Sequence, residues 1–496
     1  MIRVSVSLLS ILVLASCDRQ LDSRHKSLAA KVPAIAESEK LPGGATSVSY
    51  RPFASFIKPA ANLPQNQRAE FHAGKALAHQ PWIKAPTVTH ARDGLGPLYN
   101  ARTCLGCHTN GGKGQMPETA DERLFAALVR VSLPGADGVH GVVAEPVYGE
   151  QLQSQSVALF HQLGDRVPID DRSRIVEAPP EAYIYVDWQR RDFVYPDGSS
   201  VELRYPKLRI ENLGYGALHA KTLVSLRIAP AIHGLGLLEL IEQGSIDLRA
   251  DAEDANSDGI SGRVNQVWDL ERQKTVPGRF GWKANRSSLN TVTAAAFAGD
   301  IGISNPLFPD QPCSQAQIKC QQTANGNDEE NVELPAHLLD LTVEFIRNIG
   351  VPKQRSNKSN TGSGEFAASR ALFYQTGCAD CHTPSHNTAH SAAHPHLSQQ
   401  VIWPYTDLLL HDMGPNLADG RPDYLATGSE WRTPPLWGTG LNKSVNGNVF
   451  FLHDGRAQSV EQAILWHGGE AKASQQRFVI LNKEQRQALL RFVEAI

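Results

Sequence analysis

The apolar positions of this chain repeat with more than one period, and each period predicts a different element. In PAHLLDLTVEFIRNIG they recur every three or four residues, placing Leu338, Leu339, Thr342, Val343 and Ile346 on one helical face, and Gly350 with Pro352 ends the pattern. GEFAASRALFYQTGC sets Phe366, Arg370 and Phe373 at helical spacing just ahead of a cysteine. NKEQRQALLRFVEAI is a further amphipathic helix, with Asn482 and Gln485 suited to a capping box. SVEQAILWHGG predicts another, with Ser459 and Gln462 fitting a capping box and Val460, Ala463, Ile464 and His467 sharing a face. Regions 140–160 and 183–205 are richer in Val, Tyr and Pro, and their short alternating stretches, AYIYVDW and SVELRYP, read as a few small strands or extended inserts. The pattern as a whole predicts a mainly α fold with loop and minor β inserts in its first half.

Segments without period mark the boundaries. Residues 351–364, VPKQRSNKSNTGSG, read as a linker between a domain at 61–350 and another at 365–496, and residues 18–60 read as a tether. Before them, in MIRVSVSLLSILVLASC, Arg3 precedes an apolar run too short to span a bilayer and suited to a signal-peptide core. The run ends in Leu14-Ala15-Ser16-Cys17, which resembles the lipobox of bacterial lipoproteins. That resemblance implies a signal peptide over 1–17 ending at a lipidated Cys17; the alternative is an ordinary cleaved signal with an incidental cysteine. On either reading the chain leaves the cytoplasm, and the first puts it in the bacterial cell envelope, on the periplasmic side, held to a membrane by lipid alone.

Charge narrows the partners. Charged residues make up 20% of the chain and the formal net charge is -3, so there is no broad basic field for a polyanion, and nucleic acid is excluded. Of seven cysteines, setting Cys17 aside leaves three pairs. Cys313 and Cys320, in the polar stretch PCSQAQIKC, suit a small disulfide in an oxidising compartment, with two free thiols as the alternative.

The other pairs carry the chemistry. Cys104-Leu105-Gly106-Cys107-His108 and Cys378-Ala379-Asp380-Cys381-His382 are both C-x-x-C-H. Two thiols at that spacing can add across the vinyl groups of one haem, and the adjacent histidine then reaches the iron. A single motif could equally be a redox dithiol or half of a zinc site. Two of them on an exported chain, each with its own histidine, predict two covalently bound haem c groups, attached at Cys104, Cys107, Cys378 and Cys381 with His108 and His382 on the irons.

Beyond these motifs, RDGLGPLYNARTCLGCH, HGLGLLELI, DANSDGISGRVNQVWD, GRFGWKANRSSL, AFAGDIGISNPLFP, PYTDLLLHDMGPNLADG, EWRTPPLWGTG and FLHDGRAQSVEQAILWHGGEA resemble segments of the dihaem oxidoreductases, distant relatives of bacterial dihaem cytochrome c peroxidases and of the MauG enzymes. The resemblance covers nearly the whole mature chain. It implies two cytochrome c-like helical domains, one haem in each, with electrons passing between them.

The sixth ligands then decide the function, because an iron left open on one side can react with substrate. His467 lies on the inward face of its predicted helix, and Met413, one of three methionines, is the competing ligand. In the relatives a ligand to the second haem lies fourteen residues after the histidine of an F-H-x-G motif, and fourteen residues after His453 stands His467. Aligning Trp282 with His453 puts Ala296 opposite His467. Alanine cannot bind iron, so the first haem is expected to present an open or weakly occupied face. The relatives also place a proton-shuttling glutamate about twenty residues after a tryptophan; here that place is Gly302, and Asp300, Glu239 and His233 are the nearby candidates, with caps or haem-propionate neighbours as their alternative roles. Trp282 resembles the tryptophan between the haems of these relatives, its alternative being a core residue.

Two secondary features remain. Asp254, Asn256, Asp258 and Ile260 stand at alternate positions around a glycine turn, as in a calcium loop, although position twelve is Asn265; a structural calcium and a plain Asx-turn loop are the two readings. His386, His390, His394 and His396 lie among Thr, Ser, Asn and Pro and read as a solvated loop rather than a metal site.

The leading expectation is a haem-dependent, peroxidase-like oxidoreductase in which the second haem feeds or drains a reactive first one. It would exchange electrons with a small cytochrome, a cupredoxin or a quinol-linked donor, or react with a small-molecule oxidant. The alternatives are a non-catalytic electron-transfer cytochrome with both irons six-coordinate, and a MauG-like enzyme that modifies a partner protein.

Overall fold

A computed structural model describes residues 32–50, 55–85, 87–88, 92–157, 178–355 and 363–496. The leader with Cys17 and part of the 351–364 stretch fall outside the described residues. Among those described, no helix is long and apolar enough to cross a membrane.

Each C-x-x-C-H motif follows a helix that packs against the last helix of its half. In the first half α1 (Arg68–His79) packs on α3 (Ala336–Arg347), with α2 (Leu289–Ala296) against α3. The rings of Phe71 and Phe345 meet at 5.2 Å. Gly74 permits the approach, since a Cβ there would lie 1.9 Å from the carbonyl oxygen of Leu341. In the second half α4 (Ser363–Gln375) packs on the C-terminal helix, with α5 (Val460–Trp466) and α6 (Lys472–Val479) alongside. That C-terminal helix, α7 (Lys483–Ala495), opens with the expected capping box between Asn482 and Gln485. At α5 half the expected box forms: Ser459 Oγ accepts from the Gln462 amide, whereas the Gln462 side chain accepts from Gln458.

Strands fill much of the remainder. A three-stranded antiparallel sheet places β1 (Ala127–Ser132) between β2 (Gln151–Leu152) and β5 (Leu223–Ile228), and β3 (Tyr183–Val194) pairs with β4 (Ser200–Glu211) in a twelve-residue hairpin. Near the second motif β6 (Leu410–Asp412) pairs with β7 (Glu430–Arg432). Helix accounts for 29% of the described residues and strand for 19%, in several small sheets, which corrects the expectation of a mainly α fold of two cytochrome c-like helical domains. The misreading has a physical source. The hairpin alternates cleanly at Ile184 and Val186 but β3 runs on through the exposed Gln189, Arg190, Arg191 and Asp192, so half of that strand lacks the apolar signal, and pairing twelve residues deep holds it together.

The apolar core draws on both sides of the 351–364 stretch, from Trp82 to Ile496. A second cluster under the three-stranded sheet takes Trp431 and Phe450 from the C-terminal half. The segment around residue 40, whose composition reads as a tether, is tied down where described: Glu39 forms a bidentate pair with Arg370 at 2.9 and 3.0 Å, both side chains 2% exposed. Removing one partner of such a pair strands the other charge in the interior. Glu39→Gln is therefore expected to destabilise the protein by about 3–5 kcal/mol in denaturant unfolding. A loss below about 1 kcal/mol would mean that the pair is screened as a surface pair is.

Candidate functional site

The first motif forms one short helical turn, Cys104–Cys107, capped by Thr103, whose Oγ1 accepts the Gly106 amide at 2.8 Å. The turn delivers both thiols to the wall of a cavity of about 250 Å³ that His108 also lines. His108 Nδ1 lies 2.6 Å from the Pro230 carbonyl. A carbonyl only accepts, so Nδ1 carries the proton and Nε2 keeps its lone pair. Burial lowers the imidazole pKa and holds the ring neutral, the state a metal ligand requires.

The opposite wall comes from α2 and the π turn that follows it, Phe297–Ile301. Ala295 and Ala296 line the cavity there, with Asp300. Burial raises the Asp300 pKa, against the pull of Arg130 and of Gln151, whose Nε2 donates to Oδ1 at 2.9 Å. The Asp300 carbonyl accepts the amides of Asn100 and Ala101, which ties the acid to the segment leading into Cys104. Gly302, where the relatives' glutamate would stand, has φ +74° and leaves a Cβ only 2.3 Å from the Leu98 carbonyl oxygen, so no side chain fits.

His233 lines the same cavity, with Nε2 3.1 Å from the Trp437 carbonyl, and burial pushes its pKa down to about 4. Glu239 is not among the lining residues. One of its oxygens accepts the Leu289 amide at the start of α2 at 2.7 Å, and the other pairs with Arg347 at 3.0 Å. Trp282 borders the cavity, donates from Nε1 to the Ile228 carbonyl at 2.8 Å, and shares an apolar cluster with Trp431. Trp431 in turn stacks flat on His453, ring centroids 3.6 Å apart.

In the second half His382 Nδ1 lies 2.9 Å from the Tyr405 carbonyl, and burial pulls the ring pKa down to about 4, helped by His467 nearby. His467 follows the last residue of α5 instead of lying within the helix. Its Nδ1 is 2.7 Å from the Ala463 carbonyl, so its lone pair too is on Nε2, and burial lowers its pKa. Met413 and His467 line a second cavity of about 440 Å³.

Sequence reasoning missed Arg130, Gln151, Lys113 and His411. Burial pulls the His411 pKa down, but hydrogen bonds to Asp407 at 2.8 Å and Glu470 at 2.7 Å hold it well above its usual value. Cys381, Asp407 and His411 are close enough to share a metal ion, yet both His411 nitrogens face carboxylates, the arrangement of an imidazolium with no free lone pair. In the candidate calcium loop Asp254, Asn256 and Asp258 accept the amides of Gly259, Asp258 and Ile260, a run of Asx turns. Cys313 and Cys320 are joined by a disulfide. His386 is buried with Nε2 2.7 Å from the Thr406 carbonyl, and His390 is exposed.

These residues fit haem. Each histidine next to a C-x-x-C pair is neutral and presents Nε2, and the first cavity holds the side chains of Lys113 and Arg130, which hydrogen-bond to no described residue, cations that a buried anion would balance. Two such sites in one chain define the class, a haem redox protein with two centres. A family model described as "Di-haem oxidoreductase, putative peroxidase" matches residues 37–496, and the chain belongs to that family. No curated protein matches it. Among solved structures it is similar to a hydrazine synthase of Kuenenia stuttgartiensis pressurised with xenon, at 13% identity, covering 44% of this chain and 68% of that one, with a TM-score of 0.26. A likeness that slight carries no argument.

Proposed function

We propose that this chain is a c-type dihaem peroxidase-like oxidoreductase of the bacterial cell envelope, exported and held to a membrane through lipidated Cys17. One contrast carries the reading: His467 stands near His382 in the second site, whereas Ala296 lines the cavity of His108 in the first. The second centre is then saturated by two imidazoles and serves to pass electrons, and the first is open for chemistry. When bound, haem supplies the redox chemistry, in which two electrons and two protons reduce one peroxide to two waters.

The chain's own residues do the rest. His108 and His382 orient the groups through Nε2. Asp300, its carboxyl raised by burial, holds and returns the proton that must move between the peroxide oxygens. Trp282, at the cavity edge and packed with Trp431, lies on the apolar path toward the second half. Arg130 stabilises negative charge that develops beside Asp300. Glu239 has no part in this proposal, because its carboxylate caps α2 and holds Arg347.

The test is the spin state of the oxidised protein. Low-temperature paramagnetic resonance is expected to give one low-spin and one high-spin iron, and cyanide to bind once per chain. Two low-spin irons and no cyanide binding would turn the assignment to an electron carrier.

A further inference from the structure

In the register of the three-stranded sheet Arg130 of β1 lies opposite Gln151 of β2 and Ser225 of β5, and Leu128 lies opposite Arg227. Cross-strand partners point to the same face of a sheet, so Leu128, Arg130, Gln151, Ser225 and Arg227 share one face. Leu128, Arg130 and Arg227 line the first cavity. Arg227 is committed to Asp423 at 3.1 Å and Asp419 at 3.4 Å. The Arg130 side chain makes no hydrogen bond or ion pair to a described residue; the carboxylates that bear on it are Asp300 and Glu150, opposed by Arg227 and Arg286. Gln151 donates to Asp300 from behind the cavity wall.

A guanidinium that faces a cavity with no side-chain hydrogen bond to fill its donors leaves them for a ligand that accepts from them. Haem propionates are one source. They leave the ring on the side away from the two thioether-bearing pyrroles, however, and the Asp300 carbonyl accepts the amides of Asn100 and Ala101, in the segment leading into Cys104. Gln151, the cross-strand neighbour of Arg130, donates to Asp300, which ties the arginine to that same side. Lys113, the other cavity cation whose side chain hydrogen-bonds to no described residue, holds its ammonium 4.7 Å from the Phe451 ring centroid and can take a propionate.

We propose that Arg130 and Asp300 form a small-anion site in the first cavity, which selects compact anions such as azide, fluoride or nitrite over neutral ligands. This rests on the reading of the first haem as open. The guanidinium supplies charge and a planar fork of donors, and Asp300, whose pKa burial raises, adds one donor more when it holds a proton.

The experiment uses the full chain with both haems. Azide and fluoride are titrated into the oxidised protein and carbon monoxide into the reduced protein, each followed by haem absorption, for wild type, Arg130→Lys and Arg130→Leu. Arg130→Leu is expected to weaken both anions at least tenfold and to change carbon monoxide affinity less than twofold, with Arg130→Lys in between. If Arg130→Leu matures poorly, Arg130→Gln replaces it in the same comparison. Anion and carbon monoxide affinities that fall together, or that do not move, would overturn the anion site and leave the open haem standing. A wild-type protein that binds none of these ligands would overturn the open first haem, and the anion site with it.

Discussion

Alanine at both Cys378 and Cys381 is expected to yield a protein that keeps one covalently attached haem, and alanine at Cys104 and Cys107 one that keeps the other. The expectation follows from the state of the thiols. Burial pushes Cys104 and Cys107 up to about 12 and Cys378 up to about 11, so at neutral pH all three are protonated. A redox dithiol needs a lowered pKa, usually from a neighbouring cation or a helix N-terminus. Beside Cys104 and Cys107 stands the acid Asp300, which raises the pKa of both further. Thiols so placed, each pair beside a neutral histidine, suit addition to a vinyl group. Thioether bonds survive denaturation and axial bonds do not, so haem-stained denaturing gels and intact mass separate the two kinds of retention. A wild-type chain that matures with no covalent haem would end the c-type assignment. A double variant that still carries two would show that the motif it lacks is not an attachment site.

Legibility in the sequence followed the range of each interaction. The C-x-x-C-H motifs are local and could be read at once, as could the Asn482 capping box. Position 467 could be counted from His453, although the residue falls just past the end of α5 and the helical face drawn through it is one residue too long. Asp300 was named as a neighbour of Gly302, but its setting was not visible, because Arg130 and Gln151 reach it through pairing between strands more than twenty residues apart. One signal was available: in ALVRVS a lone arginine interrupts an otherwise apolar strand whose alternate positions Val129 and Val131 are buried. A charge in that position needs a partner or a ligand. Glu239 illustrates the opposite failure, a carboxylate close in sequence to the cavity-lining His233 and spent on a helix start and an arginine.

His467→Ala is expected to have the largest spectroscopic effect of any single substitution. His467 Nδ1 is fixed by the Ala463 carbonyl, burial keeps the ring neutral, and the residue is close enough to depress the pKa of His382. Two neutral imidazoles with their Nε2 atoms free are the donor set of a six-coordinate, low-spin iron, and they hold it at a lower potential than a histidine and methionine pair would. Removing one should convert one low-spin signal to high-spin, add a second cyanide site, and leave the first centre's signal in place. Met413 is the competing donor, lining the same cavity as His467. If it were the ligand, His467→Ala would leave the resonance spectrum unchanged and Met413→Ala would produce the conversion instead. Methionine could also replace the lost imidazole within the variant; the iron would then stay low-spin, but its potential would rise, which a redox titration distinguishes from an unaltered centre. An unchanged spectrum at an unchanged potential would remove His467 from the iron and, with it, the contrast between the two sites on which the proposed division of labour stands.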